Sequence, residues 1–553
     1  MAAEATRDAT PVARPAWPVN WATIWDRVAE AIPGAIAIET NGAELAYAEL
    51  EDRAARLAGA LEARGVRRGD TVGLFMYNRA EYLEGIYAAF KLGAVPVNMN
   101  FRYRARELAE LLRISRSRAL IAPSSLRTEV LGAFALLESP PWLIEVRDDA
   151  AEPTEAASEY ESVLGGRLAD APELTGAEPI YMFTGGTTGT PKAVVWRHGD
   201  LLDAQLVSMY GTAGVEMPTS LDDIVAIAAD PAIPAPRMLP IAPLMHSSAL
   251  FNTMNALTLG GTAIFLNNPR FDPAQVLRTI QERRVTRTVL AGNAVSAPLV
   301  EELRRAAEAG EPYDLSSLDL LISSGMAWTD DSKAELLEHL DDALLFDVFG
   351  ATEGGPFAYS FVRSKDDLPA RIVLANGAAV LDEDGRELDL ESGGTGILAY
   401  AGPKPIGYLD APEKTAETYR RIGDKVYVMP GDWVRLLGER RVEFLGRGSN
   451  VVNTGGEKVY PAEVEHEILE HPDADDAVVF GVPDPRWGQA VAAVVARHAG
   501  STLDADGLRA FLADRLAGYK KPRHVVVVDS LERSPSGKVD LARMRGLVEQ
   551  AAR

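Results

Sequence analysis

The segment FTGGTTGTPK, residues 183–192, combines four threonines, three glycines and one lysine. Glycine lets backbone N–H groups approach a phosphate closely, and threonine hydroxyls add donors without bulk. Lys192 supplies a positive charge. The preceding residues IYMF (180–183) are typical of a strand, so the loop begins at a strand end. The pattern indicates a phosphate-binding loop, with an ordinary flexible turn as the alternative.

Two common phosphate motifs do not fit this loop. The P-loop pattern requires Gly-Lys-Ser/Thr, but Gly189 is followed by Thr190, Pro191 and Lys192. The dinucleotide fingerprint G-x-G-x-x-G is also absent from the segment. If the loop binds phosphate, its motif is therefore different from both of these.

The composition limits the chemistry and the partners. The 553 residues are too many for one ordinary core, which predicts two or more domains. The chain has no cysteine, so disulfides, thiolate metal sites and a cysteine nucleophile are excluded, and a reducing, cytoplasmic location is expected. A net charge of −24 argues against nucleic acid and anionic lipid as partners. No apolar stretch is long enough to span a membrane.

The elements that must position the loop alternate between strands and helices. Residues 49–65 place Leu50, Ala54, Leu57 and Leu61 on one helical face, with Gly65 as the stop. A strand at 71–78, a helix ending at Gly93 and a strand at 94–100 follow. This βαβ pattern predicts a large α/β region with mostly parallel sheets.

Two further regions differ in texture. Short β segments separated by glycine and proline predict a β subdomain at about 370–446. The last hundred residues predict a compact α+β module. The predicted organisation is a flexible arm (1–20), a large domain (21–446), a linker or hinge (447–451) and a small C-terminal domain (452–553).

Six further segments follow the loop in order: PLMHSSA (243–249), ISSGMAW (322–328), VFGATEGG (348–355), PGDWV (430–434), FLGRGSNVVNTGGEKVYPAEVE (444–465) and SPSGKVD (534–540). Together with the loop they resemble the motifs of the adenylate-forming superfamily of acyl-CoA synthetases, luciferases and adenylation domains. The resemblance begins at AYAELEDRAARLA (46–58) and covers nearly the whole chain. It looks nearest to bacterial fatty-acyl and sterol side-chain CoA ligases.

The resemblance implies a ligase that works in two half-reactions. A carboxylate attacks the α-phosphate of ATP and gives acyl-AMP and pyrophosphate. A thiol, usually that of coenzyme A, then attacks the acyl carbon and expels AMP. Two anions must first be brought together, so the site needs cations and oriented donors. The implied co-substrates are ATP and coenzyme A, with Mg²⁺ as the metal.

The resemblance also implies which residues hold the nucleotide. Glu353 matches the Mg²⁺ ligand and Thr352 the α-phosphate contact, although a Thr-Glu pair can also cap a helix. Phe349 stands where the family usually has a tyrosine that stacks on adenine. The other implied nucleotide residues are Thr184, Gly185, Gly186, Thr187, Thr188, Gly189, Lys192, Gly325, Met326, Ala327, Asp347, Gly350, Asp432 and Arg447.

Two residues are implied to act at the reacting groups. His246 occupies the family's P-L-x-H position, where an imidazole can orient the attacking oxygen. Lys538 matches the lysine that enters the active site during adenylation and bridges the carboxylate and the phosphate. Taken alone, each has a plainer alternative, a structural histidine and an exposed turn lysine.

The second half-reaction is implied to use a rotated C-terminal domain. In the family this rotation brings the TGGEKVYP loop (454–461) to a narrow pantetheine tunnel. Gly455 and Gly456 would leave room for the thioester arm, and Lys458 is a candidate for a coenzyme A phosphate. The chain departs from the usual motifs at Gly186, Ala193, Ser449 and Asn450.

The sequence also bears on the substrate and on alternative functions. The resemblance implies that residues 247–257, 291–296 and 323–328 line the acid pocket. These segments are mainly apolar or small and contain no basic residue, which favours a medium- or long-chain fatty acid or a bulky sterol-derived acid. The alternatives are transfer to a carrier-protein phosphopantetheine and a nucleotide-binding regulator or scaffold without catalysis. A homodimer is left open.

Overall fold

The computed structural model describes residues 17–551 except 41, 149–153, 169–170, 185–191, 269, 327, 448–450, 455–456, 485–487, 514, 517 and 535–538. The chain divides into two compact units. The first unit runs to Arg371 and also takes in Ala375–Gly377 and Ala401–Tyr419, so it is discontinuous in sequence. The second unit comprises Ile372–Leu374, Ala378–Tyr400 and the chain from Arg420 onward.

The strands of the first unit are β1 (Ile36–Thr40), β2 (Ala43–Ala46), β3 (Thr71–Leu74), β4 (Val95–Asn98), β5 (Ala119–Pro123), β6 (Trp142–Val146), β7 (Ala157–Glu159), β8 (Pro179–Thr184), β9 (Lys192–Arg197), β10 (Arg237–Pro240), β11 (Thr262–Phe265), β12 (Arg287–Leu290), β13 (Leu320–Ser324), β14 (Leu344–Ala351), β15 (Gly354–Val362) and, later, β19 (Gly407–Tyr408).

The helices of the first unit are α1 (Trp21–Ala31), α2 (Tyr47–Ala63), α3 (Ala80–Leu92), α4 (Ala105–Ser115), α5 (Arg127–Phe134), α6 (Tyr160–Val163), α7 (His198–Ala213), α8 (Leu221–Ala229), α9 (Ser247–Thr258), α10 (Pro273–Arg283), α11 (Asn293–Glu308), α12 (Asp330–Leu336) and α13 (Pro412–Thr418). Short 3₁₀ turns lie at Ser124–Leu126, Leu337–His339 and Lys365–Asp367.

Two parallel-rich sheets form the framework of the first unit. One has the order β19-β9-β8-β4-β3-β5-β6-β7, with antiparallel pairs only at the β8–β9–β19 edge. The other runs β15-β14-β13-β12-β10-β11-β1-β2, again with its antiparallel strands at the ends. The predicted parallel α/β fold class is confirmed.

Helices bury their apolar faces against these sheets. The face predicted for α2 is buried throughout, and α3 ends at Gly93 in the left-handed conformation, as its sequence predicts. The core joins both sheets and includes an edge-on contact between Trp25 and Tyr87, with ring centroids 5.2 Å apart.

The beginning of the described chain differs from the predicted flexible arm. Trp17 and Val19 are buried, and Asn20 is 0% exposed. The Asn20 side chain accepts the Ala22 N–H at 2.8 Å and so caps α1, and its amide donates to Glu178. Residues 17–20 are therefore held by burial of Trp17 and Val19 in the core and by the Asn20 cap of the first helix.

The strands of the second unit are β16 (Val373–Leu374), β17 (Ala378–Leu381), β18 (Thr395–Tyr400), β20 (Tyr419–Ile422), β21 (Lys425–Val428), β22 (Asp432–Leu436), β23 (Val442–Arg447), β24 (Val452–Thr454), β25 (Glu457–Val459), β26 (Ala474–Asp484), β27 (Gly488–Arg497) and β28 (His524–Val528). Its helices are α14 (Pro461–Leu469), α15 (Ala505–Phe511) and α16 (Leu541–Ala551).

Two sheets organise these elements. One has the order β20-β21-β18-β22-β23, with β17 beside β18. The other has the order β25-β24-β27-β26, with β28 parallel to β27. The long β26–β27 hairpin buries valine and alanine on both faces, one cluster under α14 and α15 and another under α16. The predicted domain boundaries at 446, 451 and 452 stay predictions.

Candidate active site

The described ends of the predicted phosphate loop belong to the antiparallel strands β8 and β9. Thr184 and Lys192 are register partners at its base, and the Thr184 hydroxyl lies 3.5 Å from the Lys192 carbonyl oxygen. The predicted residues between them, Gly185, Gly186, Thr187, Thr188 and Gly189, lie outside the described residues. Thr184 is the last residue of β8, and ligands in open α/β sheets bind outside the carboxyl ends of strands.

Thr352 and Glu353 form the turn between the antiparallel strands β14 and β15. The pair therefore does not cap a helix. The Trp196 indole N–H donates to the Thr352 carbonyl oxygen at 2.9 Å, and the Ser247 and Thr352 hydroxyls are 3.2 Å apart. The turn is thus fixed both by β9, which leaves the phosphate loop, and by the first residue of α9.

Glu353 is held by two tyrosines that the sequence analysis did not identify. The Tyr408 hydroxyl donates to Glu353 Oε1 at 2.7 Å, and the Tyr419 hydroxyl donates to the Glu353 carbonyl oxygen at 3.0 Å. Burial raises the pKa of Tyr419, so its hydroxyl stays protonated and can donate. Tyr408 reaches this place because β19 pairs with β9.

His246 immediately precedes α9 and is exposed. It follows β10 through a turn that two asparagines bind. The Asn78 amide donates to the carbonyls of Pro240 (2.9 Å) and Ala242 (3.0 Å), and its oxygen accepts the Leu244 N–H at 2.7 Å. The Asn98 amide donates to the Met245 carbonyl. Asn98 is the last residue of the parallel strand β4 and Asn78 follows the parallel strand β3, and neither was predicted.

The predicted adenine-binding residues lie at or just after the carboxyl ends of two strands. Gly325 lies just beyond β13 with φ +82°, a conformation that favours glycine. Met326 follows it, and Ala327 lies outside the described residues. Phe349 and Gly350 lie on β14, the half-buried Phe349 opposite Ala358 and Gly350 exposed.

Asp347 is buried and faces a buried cation. Lys333 Nζ lies 3.4 Å from Asp347 Oδ2, and the two side chains are 4% and 7% exposed. Burial raises the pKa of Asp347 to about 6, while Lys333 and Ser323 oppose the rise. The sequence analysis did not predict Lys333, because its partner lies on another element.

The remaining predicted residues belong to the second unit. Asp432 begins β22 and is the register partner of Arg447, the last residue of β23. The backbone of Lys458 lies on β25 opposite Asn453. Gly455, Gly456 and Lys538 lie outside the described residues, as do Ser449 and Asn450.

Comparison with known protein families identifies the family of this chain. Residues 25–407 match the AMP-binding enzyme family, and residues 463–538 match the AMP-binding enzyme C-terminal domain. The chain is a member of the AMP-binding enzyme family. The predicted resemblance to adenylate-forming enzymes is confirmed.

Curated relatives align over nearly their whole length. A medium/long-chain-fatty-acid–CoA/3-oxocholest-4-en-26-oate–CoA ligase of Mycolicibacterium smegmatis is 34% identical, covering 96% of this chain and 97% of that protein. The ligase of the same name from Mycobacterium tuberculosis strain H37Rv is 36% identical over 94% and 95%. A 3-oxocholest-4-en-26-oate–CoA ligase of Rhodococcus rhodochrous is 34% identical over 94% of each.

Solved structures agree in fold. The anthranilate CoA ligase AuaEII, solved with anthranoyl-AMP, superimposes with a TM-score of 0.79 at 21% identity, covering 97% of this chain and 98% of that chain. ATP-bound MatB from Rhodopseudomonas palustris gives a TM-score of 0.77 at 26% identity, covering 97% and 100%.

The predicted enzyme class is confirmed by this membership. The protein is an ATP-dependent, AMP-forming ligase that joins an acid to a thiol, with ATP and coenzyme A as co-substrates. The alternative of a non-catalytic scaffold is therefore set aside. Among the helices of the described residues, none is both long and apolar enough to cross a lipid bilayer.

Proposed function

We propose that the enzyme activates a medium- or long-chain fatty acid, or a bulky sterol-derived side-chain acid, and transfers it to coenzyme A. The observation that carries the proposal is the end-to-end similarity, at 34–36% identity, to ligases named for these acids. The segments expected to line the acid site support it, because 247–257, 291–296 and 323–328 contain no lysine or arginine to pair with a second carboxylate.

In the first half-reaction, a carboxylate oxygen of the acid attacks the α-phosphorus of ATP. The bond from that phosphorus to the bridging oxygen breaks, and pyrophosphate leaves with the electron pair. The hairpin loop between Thr184 and Lys192 would bind the outgoing phosphates, and Thr352 would contact the α-phosphate. The hydrogen bond from Trp196 of β9 to the Thr352 carbonyl supports this assignment, because it joins the Thr352 turn to the strand that begins at Lys192.

The carboxylate of Glu353 suits a magnesium ion. Mg²⁺ prefers hard oxygen ligands and is commonly held by one or two carboxylates with substrate phosphates and water. Tyr408 donates to Oε1, and the carboxylate of this half-buried side chain has a second oxygen, Oε2, that can also act as a ligand. A bound Mg²⁺ would neutralise charge on the triphosphate, while the two tyrosines hold the orientation of Glu353.

The adenosine part would be bound by two sets of residues. Gly325, Met326, Ala327 and Phe349 would contact the adenine ring, with Gly350 beside it and Asp347 at its edge. Asp432 would accept the ribose hydroxyls, and Arg447 would reach the ribose or the phosphate. The register pairing of Asp432 with Arg447 supports a shared ligand for these two residues.

His246 and Lys538 would bring the two anions together. The His246 imidazole would orient the attacking carboxylate, and the Lys538 ammonium would neutralise charge between the carboxylate and the α-phosphate. In the second half-reaction the thiolate of coenzyme A attacks the acyl carbon, and the acyl–oxygen bond to AMP breaks. Gly455 and Gly456 would leave space for the pantetheine arm, and Lys458 would contact a coenzyme A phosphate.

Pyrophosphate release across a panel of acids tests the substrate class. We expect the highest kcat/KM among C8–C18 fatty acids or sterol side-chain acids, and thioester formation with free coenzyme A. A clear preference for acetate or an amino acid would contradict the proposed substrate. Acyl transfer to a carrier protein but not to coenzyme A would contradict the acceptor. The homodimer and the cytoplasmic location stay predictions.

A further inference from the structure

Asn98 joins two segments of the active site that lie far apart in sequence. It is the last residue of β4 and is 6% exposed. Its oxygen accepts the Phe183 N–H at 2.9 Å, one residue before Thr184 at the base of the phosphate loop. Its amide nitrogen donates to the Met245 carbonyl, one residue before His246. One side chain therefore uses both its acceptor and its donor, each on a residue next to the site.

The two segments belong to different sheets. Phe183 lies on β8, which pairs in parallel with β4, whereas Met245 follows β10 of the other sheet. Asn78 holds the earlier part of the same turn from Pro240 to Leu244, and Asn98 binds the Met245 carbonyl directly before His246. Because a primary amide has a donor and an acceptor in one plane, asparagine can satisfy both backbone groups at once.

We propose that Asn98 is a positioning residue for adenylation, which sets the His246 turn relative to the strand that enters the phosphate loop. This inference rests on the proposed role of His246 at the acid carboxylate. The attacking oxygen and the α-phosphorus come from two separate molecules, so the reaction depends on the spacing between the groups that bind them. A displacement of about 1 Å can cost on the order of 100-fold in rate.

A second buried asparagine provides a matched control. Asn20 is equally enclosed and also joins two segments, through Ala22 N–H and the Glu178 carboxylate. Its contacts belong to the start of α1 and to the residue before β8, and none of them adjoins a predicted site residue. Asn20→Ala therefore reports the effect of losing a buried asparagine without changing the His246 turn.

The kinetic experiment is a double-mutant cycle. We would measure acid-dependent ATP–pyrophosphate exchange for Asn98→Ala, His246→Ala and the double variant, and repeat the cycle with Asn20→Ala. If Asn98 acts through His246, Asn98→Ala loses about 10- to 100-fold, and the double variant loses little more than His246→Ala alone. With supplied acyl-AMP, thioester formation by Asn98→Ala should stay within about threefold of the wild-type rate, because that step no longer needs the carboxylate oriented.

A structural readout separates this inference from the proposed function. Hydrogen–deuterium exchange should accelerate at the Phe183 amide and over residues 244–250 in Asn98→Ala, but not in Asn20→Ala. Asn98→Asp keeps the acceptor for Phe183 and loses the donor to Met245, so it should accelerate exchange only at 244–250. If Asn98→Ala does not fold, Asn98→Asp still tests the hydrogen bond to Met245.

The outcomes are distinct. Losses from Asn98→Ala and His246→Ala that multiply, or equal losses in both half-reactions, would overturn the positioning role. So would unchanged exchange at residues 244–250. Absence of pyrophosphate exchange with every acid in the wild-type enzyme would instead contradict the proposed function, while the hydrogen-exchange pattern would still show whether Asn98 couples the two segments.

Discussion

The two units hold their predicted site residues in different ways. In the first unit, Trp196, Tyr408 and Asn98 each donate from a side chain to a site residue or its neighbour across a long stretch of sequence. In the second unit, Asp432 and Arg447 are placed opposite each other by an ordinary antiparallel ladder. The difference indicates that long-range side-chain hydrogen bonds preorganise the site residues of the first unit. Variants that remove these bonds should therefore lose activity because site residues are displaced. Variants of the second unit that remove a charged site residue should lose activity because the charge that contacts the substrate is missing.

The largest effect is expected in the second unit. Lys538→Ala removes the cation expected between two oxyanions, so adenylation should fall by at least about 10³-fold. Thioester formation from supplied acyl-AMP should be nearly unchanged, because Lys538 is assigned to the first half-reaction alone. Pyrophosphate exchange and acyl-AMP consumption measure the two steps separately. The exposed Lys425, paired with Glu387, provides the control Lys425→Ala. Equal loss in both steps would contradict the assignment.

A smaller effect is expected from Tyr408→Phe in the first unit. Losing a hydrogen bond to a carboxylate costs about 1.5–3 kcal/mol, which corresponds to a fall in adenylation of about 10- to 100-fold. Because Glu353 is the proposed magnesium ligand, the variant should also require more Mg²⁺ for half-maximal rate. Tyr427→Phe is a matched control, since Tyr427 donates to Glu387 away from the predicted residues. An unchanged Mg²⁺ requirement in Tyr408→Phe would show that Tyr408 does not contribute to Mg²⁺ binding.

Asp432→Asn tests whether a residue of the second unit acts through its charge. Loss of the carboxylate should raise the KM for ATP about tenfold, because a hydrogen bond to a charged acceptor becomes a weaker neutral one. The KM for the acid should change little, since Asp432 is expected to contact the ribose and not the acid. Initial rates at varied ATP and acid give both constants. Asp424→Asn, at an exposed turn of the same unit, is the control. A larger change for the acid than for ATP would exclude a ribose contact.

The smallest effect on catalysis is expected at His198, which is 0% exposed and accepts the Trp21 N–H at 3.1 Å through Nδ1. Burial lowers the pKa of His198 to about 3. An unfolded histidine titrates near 6.5, so the unfolded state takes up the proton first as the pH falls. Stability should therefore decline from about pH 6.5 downward, by about 1.4 kcal/mol per pH unit.

His198→Asn keeps an acceptor for Trp21 but cannot titrate in this range. Urea unfolding at pH 7, 6 and 5 should show a flatter dependence for this variant than for the wild-type protein, with kcat at pH 7.5 nearly unchanged. Identical pH slopes would show that His198 does not contribute to acid sensitivity.

The sequence was sufficient for the parts that are local. The apolar face of α2, the end of α3 at Gly93 and the strand before the glycine–threonine loop follow from short patterns of glycine and apolar spacing. Thr352 and Glu353 were identified by their motif, but their turn between β14 and β15 was not predicted. The residues that hold them could not be found this way. Trp196 lies 156 positions from Thr352, and Asn98 lies 147 from Met245. Such pairs depend on which strands become neighbours, and no local pattern marks them.

Lys333 illustrates the same limit for charge. In sequence it is an ordinary helical lysine, and lysine is rarely buried without a partner. Its pairing with Asp347 joins α12 to β14, which are separate elements in the sequence. Asp347 was predicted from its motif as a nucleotide residue, and that role stays a prediction alongside the ion pair.

The two-residue strand at Gly407–Tyr408 has a consequence for how the protein is made. It covers the outer side of β9 and delivers the hydroxyl to Glu353, yet it is synthesised long after both. A nascent chain that has emerged only to residue 371 already contains the phosphate hairpin and the Thr-Glu turn, but the edge of its sheet is open. Ribosome-bound or truncated fragments ending there should therefore expose a strand that can recruit other chains, until translation supplies the segment from 401 to 419.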